Sequence, residues 1–145
     1  TTQKKRRQED IETITFNTDA AWIESEKVAG LGWIFSRSLD GFRQEGSTIA
    51  DHIRSPLQAE ATTILRALQH AIELGISHLY IVSDSKQTIE AIKSEQSSKE
   101  LHGILHDIMI LSSNFREISF NFIPRGENRV ADALAKSSIK TVVGT

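Results

Sequence analysis

The sequence predicts an α/β domain: a mixed five-stranded sheet, three antiparallel strands then parallel βα units, with helices on both faces. Three observations carry that expectation. The first third of the chain shows strand-type patterning broken by turn signals, with no helical period. From Ser55 onward, segments with helical spacing alternate with short strands. His78 to Ser83 is almost wholly apolar, as a parallel strand covered on both faces requires. The chain has 145 residues, 39% of them hydrophobic and 25% charged, which suits one domain around one core.

Each element has its own warrant. Thr13 to Trp22 alternates, with Ile14, Phe16, Ala20 and Trp22 on one side and Thr15, Asn17 and Asp19 on the other. A polar turn, Glu24 to Lys27, leads into a second strand, Val28 to Arg37. Leu39-Asp40-Gly41 signals a hairpin, and Phe42 to His52 forms the third strand. Ser55-Pro56 reads as a helix start, with serine at the N-cap and proline at the first helical position. Leu57, Ala61, Ile64, Leu65, Leu68 and Ile72 then recur at helical spacing until Gly75 stops the helix. After the apolar fourth strand come a short helix, Lys86 to Lys93, a polar loop, Ser94 to Lys99, and another helix, Leu101 to Leu111. Glu117 to Ile123 alternates as a fifth strand, Pro124-Arg125-Gly126 breaks it, and Asn128 to Ser138 forms the last helix. In domain terms, 1–11 reads as a flexible polar and basic leader or linker, 12–140 as the folded domain and 141–145 as a tail.

Composition narrows the function. With no cysteine, a disulfide scaffold and cysteine-ligated zinc are excluded. This fits an intracellular setting, nucleus or cytoplasm. No apolar run approaches membrane-spanning length, so no membrane partner is expected. The net charge of −2 gives no global field for nucleic acid, so any polyanion must be held by local cations and metal. The Lys4-Lys5-Arg6-Arg7 run reads as a solvated tail or a nucleic-acid or targeting arm.

Four carboxylates, Asp19, Glu60, Asp84 and Asp132, sit in four separate segments where strands end or helices begin. Each has an ordinary explanation alone. Asp84 could cap a helix, Glu60 could be an exposed helical residue, and Asp132 could pair with Lys136 one turn on. Asp19 is the hardest to dismiss, because aspartate fits poorly in an apolar strand. If the first and fourth strands are parallel neighbours, Asp19 and Asp84 converge at the strand ends where ligands gather in such sheets. Clustered carboxylates repel one another, and bound divalent cations are the natural compensation.

The ordered segments Asn17-Thr18-Asp19-Ala20-Ala21, Gly30 to Ile34, Ser55 to Ala61, Ser83-Asp84-Ser85 and Pro124 to Ala135 resemble the type 1 ribonuclease H family. The resemblance runs from about Ile14 to Ser138 and is closest to the plant branch found in non-long-terminal-repeat retrotransposons and related reverse-transcriptase-like proteins. It implies a ribonuclease H-like fold and cleavage of the RNA strand of an RNA–DNA hybrid, in a monomeric domain of the kind that can be fused to a reverse transcriptase. It implies two Mg²⁺ ions, replaceable by Mn²⁺, held by Asp19, Glu60, Asp84 and Asp132. Asp19 would bridge both ions, Asp132 would serve the ion that activates water, and Glu60 and Asp84 the ion at the leaving oxygen. Glu60 would also sense the ribose 2′-OH, the group that separates RNA from DNA.

The chain departs from the family pattern in three places. The loop Pro124 to Glu127 lacks the mobile histidine of many members, as do archaeal-like and plant members. Pro56 and Leu57 replace two hybrid-contacting asparagines, leaving Ser55 as the nearest polar substitute. The Ser94 to Lys99 loop offers no strong basic handle. Lys86, Arg125, Asn128 and Arg129 are further candidates for nucleic-acid contact, with Asn128 also a helix cap and a support for Asp132. His102 and His106 have metal-ligand spacing but no evident third ligand. Two other readings stay open: a non-catalytic binding module of the same fold, and a proofreading-type exonuclease, disfavoured by Ala21 where that family has an acidic residue.

Overall fold

The computed structural model describes residues 13–94 and 99–143. The expected leader, 1–11, and the centre of the polar loop, 95–98, lie outside the described residues.

Strands β1 (Ile14–Ile23), β2 (Val28–Arg37) and β3 (Phe42–Ala50) form an antiparallel meander. Strands β4 (His78–Ser83) and β5 (Glu117–Phe122) join it in parallel, giving the sheet order β3-β2-β1-β4-β5. The helices are α1 (Pro56–Glu73), α2 (Lys86–Ser94), α3 (His102–Ser112) and α4 (Arg129–Val143), with a 3₁₀ turn at Arg125–Glu127 before α4. The fold class and the element order are those the sequence predicts.

Local chemistry explains the boundaries. Ser55 Oγ accepts from Gln58 N at 3.0 Å, and Gln58 Oε1 accepts from Arg54 N at 2.6 Å, a reciprocal cap at the start of α1. At its other end Gly75 takes φ +72°, Gly75 N donates to Ile72 O and Ile76 N to Ala71 O, both at 3.0 Å. This paired closure needs a left-handed residue, which glycine supplies without strain. Strand β3 stops at Ala50, two residues short of the expected His52. His52 has φ +59°, which ends the extended backbone there. Helix α4 runs to Val143, beyond the expected Ser138 and into the segment expected as a tail. Ala131, Ala135 and Ile139 are buried along it, so packing carries the helix on past Ser138.

The two faces of the sheet are covered differently. Phe16 and Phe35 stack at 4.2 Å beneath α1, which buries Ala59, Ala61, Ile64, Ala67, Leu68 and Ala71. On that side Trp33 Nε1 donates to His70 Nδ1 at 2.9 Å. The opposite face of β1, β2 and β3 carries α4. Side chains alternate along β2, so Gly30 and Gly32 face α4 while Leu31, Trp33 and Phe35 face α1. A Cβ on Gly32 would lie 2.6 Å from Ala131 O and 2.5 Å from Ala135 N. The bare glycines let the helix backbone rest directly on the strand. That close approach fixes the height of α4, and with it the position of Asp132 in its first turn.

Candidate active site

Register alone brings the first two carboxylates together. Thr18 of β1 pairs with Ser83 of β4 in parallel, so Asp19 and Asp84 follow side by side at the same edge. Thr18 Oγ1 donates to Val82 O at 3.2 Å and locks that register from within the core. Helix α1 supplies Glu60 one turn after its cap, next to the buried Ala59 and Ala61. One oxygen from each of Asp19, Glu60 and Asp84 lies within 4.8 Å of the others.

The cluster is short of compensation. Asp19 is only 4% exposed. Ala20 N donates to Asp19 Oδ1 at 2.9 Å and to Glu60 Oε1 at 3.2 Å, so one amide serves two carboxylates. Glu60 Oε2 is buried with no hydrogen-bond partner. Burial, then the charge of Asp84, pushes Asp19 up to about 7, partly offset by the neighbouring Glu60 carboxyl and the Ala20 amide. Burial, then the charge of Asp19, holds Glu60 well above the usual carboxylate range. Asp19 and Glu60 therefore hold their protons more readily than free carboxyls, and a bound cation would take the protons' place.

Asp132 sits at the rim. Burial raises its carboxyl, but Lys136 and a hydrogen bond with Asp19 outweigh it, so the group lies below the ordinary carboxylate range. Asp132 Oδ2 pairs with Lys136 Nζ at 3.0 Å. The simple ion-pair explanation therefore holds for Asp132, whose carboxyl also responds to Asp19, while the group of three closest carboxylates does not include it.

Asn128 is placed differently from expectation. It is 1% exposed, so it is turned away from any nucleic acid. Its backbone occupies the N-cap, with Asp132 N donating to Asn128 O at 3.1 Å. Its side chain supports Asp84 rather than Asp132: Nδ2 donates to Asp84 Oδ2 at 3.2 Å and to Thr18 O at 2.8 Å. Nothing in the linear order of residues points to that partner. Asn17, which donates to Asn128 Oδ1 at 3.2 Å, was missed as a site residue. Its signal was an asparagine inside a strand, a residue depleted there.

Lys86 and Arg125 are exposed near the carboxylate edge, and the charge of Arg125 reaches Asp132. Arg129 is exposed and Nε donates to Gly126 O at 3.2 Å, bracing the 3₁₀ turn. Ser55 spends its oxygen on the α1 cap. His102 and His106 are exposed on α3 and join no group of three or more candidate metal ligands among the described residues.

The donor set fits a hard divalent cation. All three closest groups offer carboxylate oxygen, the ligand type preferred by Mg²⁺ and Mn²⁺. A cation would satisfy the orphaned Glu60 Oε2 and relieve the charge crowding that raises the Asp19 carboxyl.

A mixed five-stranded sheet with an acidic cluster at the β1–β4 edge defines a fold shared with the type 1 ribonuclease H proteins. RNase H1 from the archaeon Halobacterium salinarum superposes with a TM-score of 0.81 at 23% identity, covering 89% of this chain and 98% of that one. The N-terminal RNase H domain of rv2228c from Mycobacterium tuberculosis gives 0.81 at 21%, covering 91% and 96%. LC11-RNase H1, solved in complex with an RNA/DNA hybrid, gives 0.79 at 20%, covering 90% and 99%. Residues 17–138 match the family described as reverse transcriptase-like, and the chain belongs to that family. The bifunctional protein Rv2228c of M. tuberculosis is 29% identical over 83 residues, 56% of this chain but 23% of that protein. This chain therefore matches about a quarter of the length of that curated relative.

Proposed function

We propose that this domain is a ribonuclease H that hydrolyses the RNA strand of RNA–DNA hybrids with Mg²⁺, in a retrotransposon-type reverse-transcription protein. The observation that carries the reading is the convergence of Asp19, Glu60 and Asp84 within 4.8 Å, with Glu60 Oε2 buried and unpartnered. A module that only bound nucleic acid would gain nothing from clustered anions facing phosphate.

Bound divalent cations would polarise the scissile phosphate and supply the nucleophilic water. The chain's residues would do the rest. Asp19, Glu60 and Asp84 would hold the ions, with Asp132 joining from the rim. Glu60, on α1, would in addition meet a ribose 2′-OH. Lys86, Arg125 and Arg129 would take phosphates beside the cluster. The hybrid-bound LC11-RNase H1 supports the choice of substrate through its shared fold. The absence of a loop histidine between Pro124 and Glu127 leaves no imidazole to assist product departure.

The test is a labelled RNA–DNA hybrid beside RNA and DNA duplexes, with Mg²⁺, with Mn²⁺ and with EDTA. Hybrid cleavage that needs the cation and is lost in folded Asp19→Asn is the expected result. Full activity of Asp19→Asn, or equal rates on hybrid and duplex DNA, would overturn the assignment.

A further inference from the structure

We propose that Asn17 and Asn128 form a positioning clasp that sets the orientation of the Asp84 carboxylate for cation binding. The inference rests on the metal-dependent reading above and adds residues whose role is to aim a ligand rather than to be one.

The geometry is a short chain of amides. Asn17 Nδ2 donates to Asn128 Oδ1 at 3.2 Å, and Asn128 Nδ2 donates to Thr18 O at 2.8 Å and to Asp84 Oδ2 at 3.2 Å. A side-chain amide carries two N–H donors and an acceptor oxygen. At Asn128 both donors and the oxygen are used, inside a site where the residue is 1% exposed. The amide has only one workable orientation. Thr18 O and Asp84 Oδ2 can only accept, so Nδ2 must face them and Oδ1 must face Asn17.

The clasp also ties three elements at one point. Thr18 belongs to β1, Asp84 follows β4, and the backbone of Asn128 starts α4 by accepting from Asp132 N at 3.1 Å. Asn17 acts by holding the far side of the Asn128 amide. Groups that orient a metal ligand commonly change affinity about 10–100-fold when altered.

Sign separates this role from plain electrostatics. Asn17→Asp places an extra negative charge near the cluster, and charge alone would tighten cation binding. The clasp predicts the reverse. The introduced carboxylate cannot donate to Asn128 Oδ1, and the amide then turns an oxygen toward Thr18 O and Asp84 or loses its partner.

The experiment is a Mn²⁺ titration of metal-free protein read by electron paramagnetic resonance, on wild type, Asn17→Ala, Asn17→Asp and Asn128→Asp. Thermal melting is measured on each. Asn17 is half-buried on a strand that the rest of the core holds, so its variants report even where Asn128→Asp fails to fold. The expected order of Mn²⁺ affinity is wild type, then Asn17→Ala, then Asn17→Asp, the last weakened about tenfold or more. Asn17→Asp binding Mn²⁺ as tightly as wild type, or tighter, would overturn the clasp while leaving the metal site intact. Wild type that binds no Mn²⁺ would overturn the metal-dependent reading, and the clasp with it.

Discussion

At the scale of single residues, the decisive property is a carboxylate placed where it is costly. Asp19 has its carboxyl pushed up to about 7 from an ordinary 3.8. The folded protein therefore keeps this proton while the unfolded chain releases it, and stability falls as pH rises from about 4 to about 7. Below that window the contribution is fully present, and above it the contribution is gone. The Asp19 part of the effect is on the order of 4 kcal/mol, and the raised Glu60 carboxyl adds in the same direction. Metal-free protein should thus lose melting temperature between pH 4 and pH 7 on this account, and saturating Mg²⁺ should remove much of the loss. Asp19→Asn should raise the melting temperature of the metal-free protein at pH 8 and abolish its stabilisation by Mg²⁺. Parallel thermal melts with and without the cation check both. The importance of Asp19 was legible in the sequence because aspartate in an apolar strand has few innocent explanations. The role of Asn128 was not, because a cap position and a buried support for Asp84 look identical until the register of β1 and β4 is known.

At the scale of elements, β2 and β4 have the bounds the sequence predicts, since turns and apolar runs mark both ends. The ends of β3 and α4 differ because tertiary context sets them: a left-handed His52 in one case, burial against the sheet in the other. The pairing of Gly30 and Gly32 with α4 is likewise invisible until the faces of β2 are assigned. It leads to a contrast between glycines. Gly32→Ala pushes into the α4 backbone and should destabilise by about 1–3 kcal/mol or more, lifting Asp132 and lowering hybrid cleavage with it. Gly103 lies in α3, where a Cβ meets nothing within 4 Å. Gly103→Ala should stabilise by about 0.5–1 kcal/mol through helix propensity, with cleavage unchanged. Urea unfolding and hybrid cleavage measured on both variants test the pair.

At the scale of the whole molecule, a net charge of −2 sets how a polyanion must be held. No broad field would draw a polyanion in, so on the proposed function binding would rest on the cations beside the cluster and on bound metal. Lys86, Arg125 and Arg129 are exposed there, and each phosphate contact contributes about 0.9 to the slope of log affinity against log salt. Hybrid binding should therefore weaken with salt at a slope of roughly −2 to −3, shallow for a nucleic-acid enzyme. Arg125 is the sharpest probe of this. It is exposed in the 3₁₀ turn, its charge lowers the Asp132 carboxyl, and it cannot release its own proton near neutral pH. It can hold a phosphate but cannot shuttle a proton. Arg125→Ala should then raise KM more than it lowers kcat, and should make the salt slope shallower by about 1. Steady-state kinetics on a labelled hybrid at several salt concentrations give both numbers. Unchanged KM with a collapsed kcat would place Arg125 in the chemical step instead, and an unchanged salt slope would remove it from the phosphate contacts altogether.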